Sequence, residues 1–138
     1  MILSRTTGKG SSNGDKHRRL VRKLIDELSK KGVRVLTADC EGYLKPHKQG
    51  RHAPDIVGEH SNGLLVIGEA KLCEDLVTVH TYEQFSDFSN RQMEEGPLAG
   101  SAVPFHIITP MECSPRLHTI LRDLELENRD NIHIWLSG

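Results

Sequence analysis

The chain has 138 residues, 36% of them apolar and 27% charged, with a formal net charge of −1. That length suits one domain with one modest core and is too short for two. No apolar stretch has the length needed to cross a bilayer. The opening run Met1-Ile2-Leu3-Ser4-Arg5-Thr6-Thr7 has no hydrophobic segment fit for a signal peptide.

Residues 4–14 (SRTTGKGSSNG) are rich in Gly, Ser and Thr, so 1–14 reads as a flexible arm and 15–138 as the folded domain. Leu20, Val21, Leu24, Ile25 and Leu28 then fall on one stripe at helical period. They predict a helix from Asp15 to Lys31, capped by Asn13 or Asp15 and closed by Gly32. Val33–Thr37 is the first expected strand, and a polar, basic connection leads to a second at Pro54–Glu59. His60-Ser61-Asn62-Gly63 is a turn signal, followed by a third strand over Leu64–Leu72. Its apolar residues point both ways, which places it in the middle of a sheet.

Thr81 is set to cap a helix carrying Tyr82, Phe85, Phe88 and Met93, which breaks at Gly96-Pro97. The sequence does not show the dimer surface, although Phe85, Phe88 and Met93 could be shared between the core and an interface. Val103–Thr109 reads as a fourth strand, closed by Pro110. Ser114 caps a helix with Pro115 at its first position and Leu117, Ile120, Leu121 and Leu124 on one face. Ile132–Leu136 is the fifth strand. The order αβββαβαβ predicts an α/β domain: a central mixed five-stranded sheet flanked by helices.

Cys40, Cys73 and Cys113 are odd in number, widely spaced and without a CxxC pair, which argues against a disulfide framework and a zinc knuckle. The expectation is a cytoplasmic protein with reduced thiols. Eight histidines are scattered without an HxxxH or HExxH pattern, which argues against a zinc enzyme. The near-neutral total hides an asymmetry. Residues 1–52 hold thirteen Lys/Arg against five Asp/Glu, and residues 53–138 hold five against fourteen. Such segregation permits a phosphate-facing surface in the first third of the chain.

Pro54-Asp55 precedes the triplet Glu69-Ala70-Lys71 by fourteen residues. In a strand Glu69 and Lys71 share one face. Asp55 joins them only if the hairpin loop is Ser61-Asn62-Gly63, three residues with Gly63 left-handed, so that His60 pairs with Leu64 and Asp55 lies opposite Glu69. A two-residue turn would set Asp55 opposite Ala70, on the wrong face. Two adjacent carboxylates repel, and a hard divalent cation removes that penalty by taking oxygen ligands. Mg²⁺, or Mn²⁺ in its place, between Asp55 and Glu69 would polarise a phosphate and acidify a bound water. Lys71 would orient or help deprotonate that water and offset charge developing on the phosphate, and the Ala70 carbonyl could supply a third protein ligand. Asp39 and Glu41, after the first strand, are spare candidates for a second metal and are not assigned to the site.

With these residues and this element order, the chain resembles the PD-(D/E)xK nuclease superfamily, whose signature Pro54, Asp55, Glu69 and Lys71 match. The resemblance covers most of the chain. It implies a restriction-endonuclease-like core, Asp55 and Glu69 as metal ligands and Lys71 as the catalytic lysine. Among small members the chain looks most like Holliday junction resolvases and related endonucleases, which act as dimers. Many members place an extra Glu on the first helix; here Asp15 and His17 occupy that stretch, and His17 can project toward the site. Members often carry a supporting Gln on the helix after the triplet, which Gln84 matches.

The basic segment Lys45-Pro46-His47-Lys48-Gln49-Gly50-Arg51-His52 runs directly into Pro54-Asp55. Lys45, Lys48 and Arg51, with Lys16, Arg18 and Arg19 on the first helix, are the expected DNA contacts. They suit phosphates and carry no base-reading geometry. The expected function is a metal-dependent DNA endonuclease acting on branched or structured DNA as a homodimer, with no membrane partner. The alternatives are a restriction-, repair- or toxin-type nuclease on the same fold, or a non-catalytic DNA-binding module.

Overall fold

The structure, a computed structural model, describes residues 13–138; residues 1–12, which hold most of the expected arm, lie outside it. Helix α1 spans Asn13–Lys30 and buries the stripe Leu20, Val21, Leu24, Ile25 and Leu28. Asn13 is already helical, so the caps expected at Asn13 and Asp15 lie inside the helix, where Asp15 pairs with Arg18 at 3.1 Å. Gly32 ends α1 with a φ of +86°, a left-handed conformation that a Cβ would strain. The N–H groups of Gly32 and Val33 return to the carbonyls of Ser29 and Leu28, closing the last turn.

Strands β1 (Arg34–Ala38), β2 (Ile56–Glu59) and β3 (Leu65–Ala70) form an antiparallel meander. Strands β4 (Phe105–Pro110) and β5 (Ile132–Ser137) add to β3 in parallel, giving the order β1-β2-β3-β4-β5. The expected mixed five-stranded sheet is present, with β3 at its centre. The second strand starts later than expected. Pro54 has no N–H for the ladder, and Asp55 gives its own N–H to the Glu69 side chain.

The hairpin has the three-residue loop. Glu59 pairs with Leu65 and Ile56 with Gly68, His60 N–H donates to the Leu64 carbonyl at 2.8 Å, and Gly63 has a φ of +92°. One face of the sheet, with Ile56, Val66, Ala70 and Ile108, packs on α1. There α1 comes so close that a Cβ at Gly68 would stand 3.0 Å from Leu24 Cδ2. The other face, with Ile67, Phe105 and Ile107, packs on the remaining helices.

Between β3 and β4 the sequence expectation needs three corrections. A single turn, α2 (Cys73–Leu76), comes first and was not anticipated. Helix α3 then runs Val79–Ser89 and is capped by Thr78, whose hydroxyl accepts from Thr81 N–H; Thr81 is the partner of the cap and not the cap. Met93 lies beyond the helix, in a loop where its N–H meets the Ser101 carbonyl. Phe85 and Phe88 are wholly buried, each edge-on to Phe105. After β4, a 3₁₀ turn (Met111–Cys113) leads into α4 (Ser114–Asp123), and Ser114 is its first residue, not its cap. No helix among the described residues is long and apolar enough to cross a membrane.

Cys73 and Cys113 are joined in a disulfide with their Cα atoms 5.1 Å apart, and Cys40 is the one free thiol. The expectation of three reduced thiols is thereby corrected. Forty residues separate the pair, and only the packing of α2 beside the start of α4 brings them together. Alkylation of the denatured, unreduced protein should modify Cys40 alone, and prior reduction should expose all three. Three modified thiols without reductant would contradict the pairing.

On β4, His106 is buried under a stacked His133, and Trp135 Nε1 donates to its Nδ1 at 3.0 Å. Burial, then the charges of His133, His60 and Lys31, push its pKa down to about 3. The native state therefore resists a proton that the unfolded chain accepts near 6.5, and stability drops as pH falls from 6.5 toward 3. Between pH 7 and pH 5, urea melts should show wild type losing about 2 kcal/mol more than His106→Asn, which offers Trp135 an acceptor without a proton to gain. Equal losses would refute this role for His106.

Candidate active site

At the end of the central strand pair, side chains continue the ladder that the backbone stops making. Asp55 N–H donates to Glu69 Oε1 at 2.9 Å, and Ala70 N–H donates to Asp55 Oδ2 at 2.8 Å. His17, reaching over from α1, places Nε2 3.0 Å from the same Oδ2. A carboxylate oxygen only accepts, so the imidazole donates. This hydrogen bond raises the His17 pKa; burial opposes it, and the charges of Asp55 and Asp39 reinforce it. Asp55 Oδ1 is left with no hydrogen-bond partner among the described residues.

Glu69 is 3% exposed. Burial, and next the charge of Asp55, hold its carboxyl well above the usual carboxylate range, and Lys71 pulls it back only in part. Lys71 Nζ lies 3.6 Å from Glu69 Oε2, an ion pair too long for a hydrogen bond. Its hydrogen bond goes instead to Gln84 Oε1 on α3, at 2.6 Å. The lysine backbone is fixed as well: its N–H donates to the Ile108 carbonyl and its own carbonyl accepts from Thr109 Oγ1. The site thus gathers two carboxyl groups, the Lys71 ammonium and the His17 imidazole in one place, and burial together with the Asp55 charge disfavours ionisation of Glu69.

The expected cluster is therefore assembled in space. Asp55, Glu69, Lys71 and the Ala70 backbone come together on the central strands. His17 joins from α1 and Gln84 from α3. Asp39, set aside in the sequence, also belongs here. Its N–H donates to the Asp55 carbonyl at 2.8 Å, and one ligand atom each from His17, Asp39 and Asp55 lie within 4.8 Å of one another. Its place just after the first strand was the available signal. Glu41 contributes only a backbone carbonyl, to Arg22.

The basic residues lie on the surface. Lys16 and Arg19 are exposed on α1, and Arg18 is engaged by Asp15. Lys45, Lys48 and Arg51 are exposed along the connection before β2, with no carboxylate partner for their side chains among the described residues. No family model, curated protein or solved structure matches the chain.

The two hydrogen bonds to Asp55 Oδ2 make this residue structural as well as chemical. Asp55→Ala leaves the Ala70 N–H without its acceptor and should cost about 2–3 kcal/mol in denaturant melts. Asp55→Asn keeps an acceptor oxygen in place and should cost less than about 1.5 kcal/mol. Equal losses from the two substitutions would show that the Ala70 contact contributes nothing to the fold.

Proposed function

We propose that the protein is a Mg²⁺-dependent DNA endonuclease of the PD-(D/E)xK type that hydrolyses phosphodiester bonds in branched or structured DNA, with Mn²⁺ able to replace Mg²⁺. One observation carries the reading: Asp55 and Glu69 are held side by side with Lys71 on the same strand end, by a hairpin register that need not have existed. The order of helices and strands agrees with the restriction-endonuclease-like core.

The donor set fits a hard cation. Asp55 Oδ1 and Glu69 Oε2 accept no hydrogen bond among the described residues. The Ala70 N–H points at Asp55, and a residue's N–H and C=O leave a strand on the same edge, so the Ala70 carbonyl would supply the third oxygen. Oxygen ligands are what Mg²⁺ selects, and a bound cation would offset the Asp55 charge that disfavours ionisation of Glu69. When bound, the ion would polarise the phosphate and supply an acidified water.

The remaining work falls to side chains of this chain. Lys71, gripped by Gln84, holds its ammonium beside the carboxylates, where it orients a water and offsets charge on the phosphate oxygens. Gln84 is a positioning residue, since it touches Lys71 and not the reacting atoms. His17 fixes the Asp55 carboxylate from the other layer of the fold, in the region where the superfamily often has Glu. Lys45, Lys48 and Arg51 draw in the DNA backbone and contribute affinity without reading bases. Selection by DNA shape follows from that. Cleavage of two strands requires two sites, hence a homodimer.

The test is a panel of duplex, single-stranded and four-way-junction DNA incubated with Mg²⁺, Mn²⁺ or EDTA. Wild type should cut at least one structured substrate only with metal. Lys71→Ala and Asp55→Asn should each lose at least about 100-fold in rate while retaining DNA binding. Metal-independent cutting, or binding with no cleavage of any substrate, would overturn the assignment; the latter outcome identifies a non-catalytic DNA-binding module.

A further inference from the structure

A second group of metal-ligating side chains lies between the basic connection and α3. One ligand atom each from His52, His80 and Glu83 lie within 4.8 Å of one another. His52 comes from the connection just before Pro54, whereas His80 and Glu83 stand three residues apart on α3 and so share one helix face. The two imidazole rings meet edge to face with centroids 5.6 Å apart.

What distinguishes this group from a chance surface cluster is how His52 is held. Residues 49–52 form a tight turn in which Gln49 N–H donates to the His52 carbonyl at 2.7 Å. Asp87, also on α3, fastens that turn: its Oδ2 accepts from Arg51 N–H at 3.1 Å and lies 3.1 Å from His52 Nδ1. Gly50 is needed there, because a Cβ on it would stand 2.8 Å from Asp87 Oδ1. Since a carboxylate only accepts, His52 donates from Nδ1, and in the neutral imidazole this leaves the Nε2 lone pair for a ligand. A carboxylate on the far nitrogen, fixing tautomer and ring orientation, is the usual support of a metal-binding histidine. His52 also packs its ring edge-on against buried Phe88, so the imidazole is braced on a second side.

We propose that His52, His80 and Glu83 form a site for a borderline transition-metal ion of the Zn²⁺ class, separate from the Asp55–Glu69 centre and positioned by Asp87. Two imidazoles and one carboxylate are a donor set that Zn²⁺ accepts and Mg²⁺ does not favour. His80 and Glu83 are exposed, so rotamer changes bring their donors from within 4.8 Å to coordinating distance. The bound ion ties the connection carrying Lys45, Lys48 and Arg51 to the helix carrying Gln84. It therefore stiffens the DNA-facing segment against the helix that holds Lys71.

The experiment is zinc binding by untagged protein, measured by equilibrium dialysis with elemental analysis, together with the visible spectrum of the Co²⁺-loaded form. Wild type should hold one tight equivalent of zinc, and its Co²⁺ spectrum should lack a thiolate charge-transfer band. His80→Ala and Glu83→Ala change exposed residues and should fold normally, yet bind at least tenfold more weakly. Asp55→Asn should bind as wild type does. Absence of tight zinc in wild type, unchanged zinc in His80→Ala, a thiolate band implicating Cys40, or loss of zinc in Asp55→Asn would each overturn the proposal. The last outcome would place the ion at His17, Asp39 and Asp55. None of these readouts depends on DNA cleavage, so they stand or fall apart from the nuclease assignment.

Discussion

The register of the β2–β3 hairpin is the constraint on which the rest of this structure depends. Gly63 occupies a left-handed conformation that lets Ser61, Asn62 and Gly63 close the loop in three residues. Because side chains alternate along a strand, a loop shorter by one residue would turn Asp55 to the opposite face from Glu69. The turn chemistry at one end of the hairpin therefore decides the charge arrangement at the other. At that far end Asp55 and Glu69 replace missing ladder bonds with side-chain bonds, so the site also terminates the strand pair.

That arrangement has an electrostatic consequence. A buried Glu69 beside Asp55 is an unfavourable neighbourhood for a second negative charge, and its carboxyl is pushed well above the ordinary range by burial and by Asp55. Lys71 offsets part of this, but its shortest contact goes to Gln84. Elements from both layers are thus committed to holding this cluster in place, α1 through His17 and α3 through Gln84. Folds accept such a cost where a site needs pre-organised charge, and this is the physical ground for reading the cluster as catalytic.

Much of this was legible in the sequence, for identifiable reasons. Hairpin arithmetic on His60 to Leu64 follows from the period of two, and the stripe Leu20 to Leu28 follows from the period of 3.6. Gln84 and His17 were placed near the site through the family resemblance, and the structure sets His17 against Asp55 and Gln84 against Lys71. The misses are of other kinds. Thr78 and Thr81 are equally good capping types, and only the backbone path after α2 decides between them. Cys73 with Cys113, and His52 with His80, are pairs whose separation in sequence hides their proximity. Asp39 was visible as an acidic residue after β1, but nothing in its local sequence says that its N–H meets the Asp55 carbonyl.

The proposed chemistry requires that the Asp55–Glu69 pair hold a hard divalent cation. An anomalous difference map from crystals soaked in Mn²⁺ tests it most directly. A strong peak bounded by oxygens of Asp55 and Glu69 and by the Ala70 carbonyl is the expected result. No peak there at saturating Mn²⁺, or a peak only among His17, Asp39 and Asp55 with Glu69 uninvolved, would contradict it.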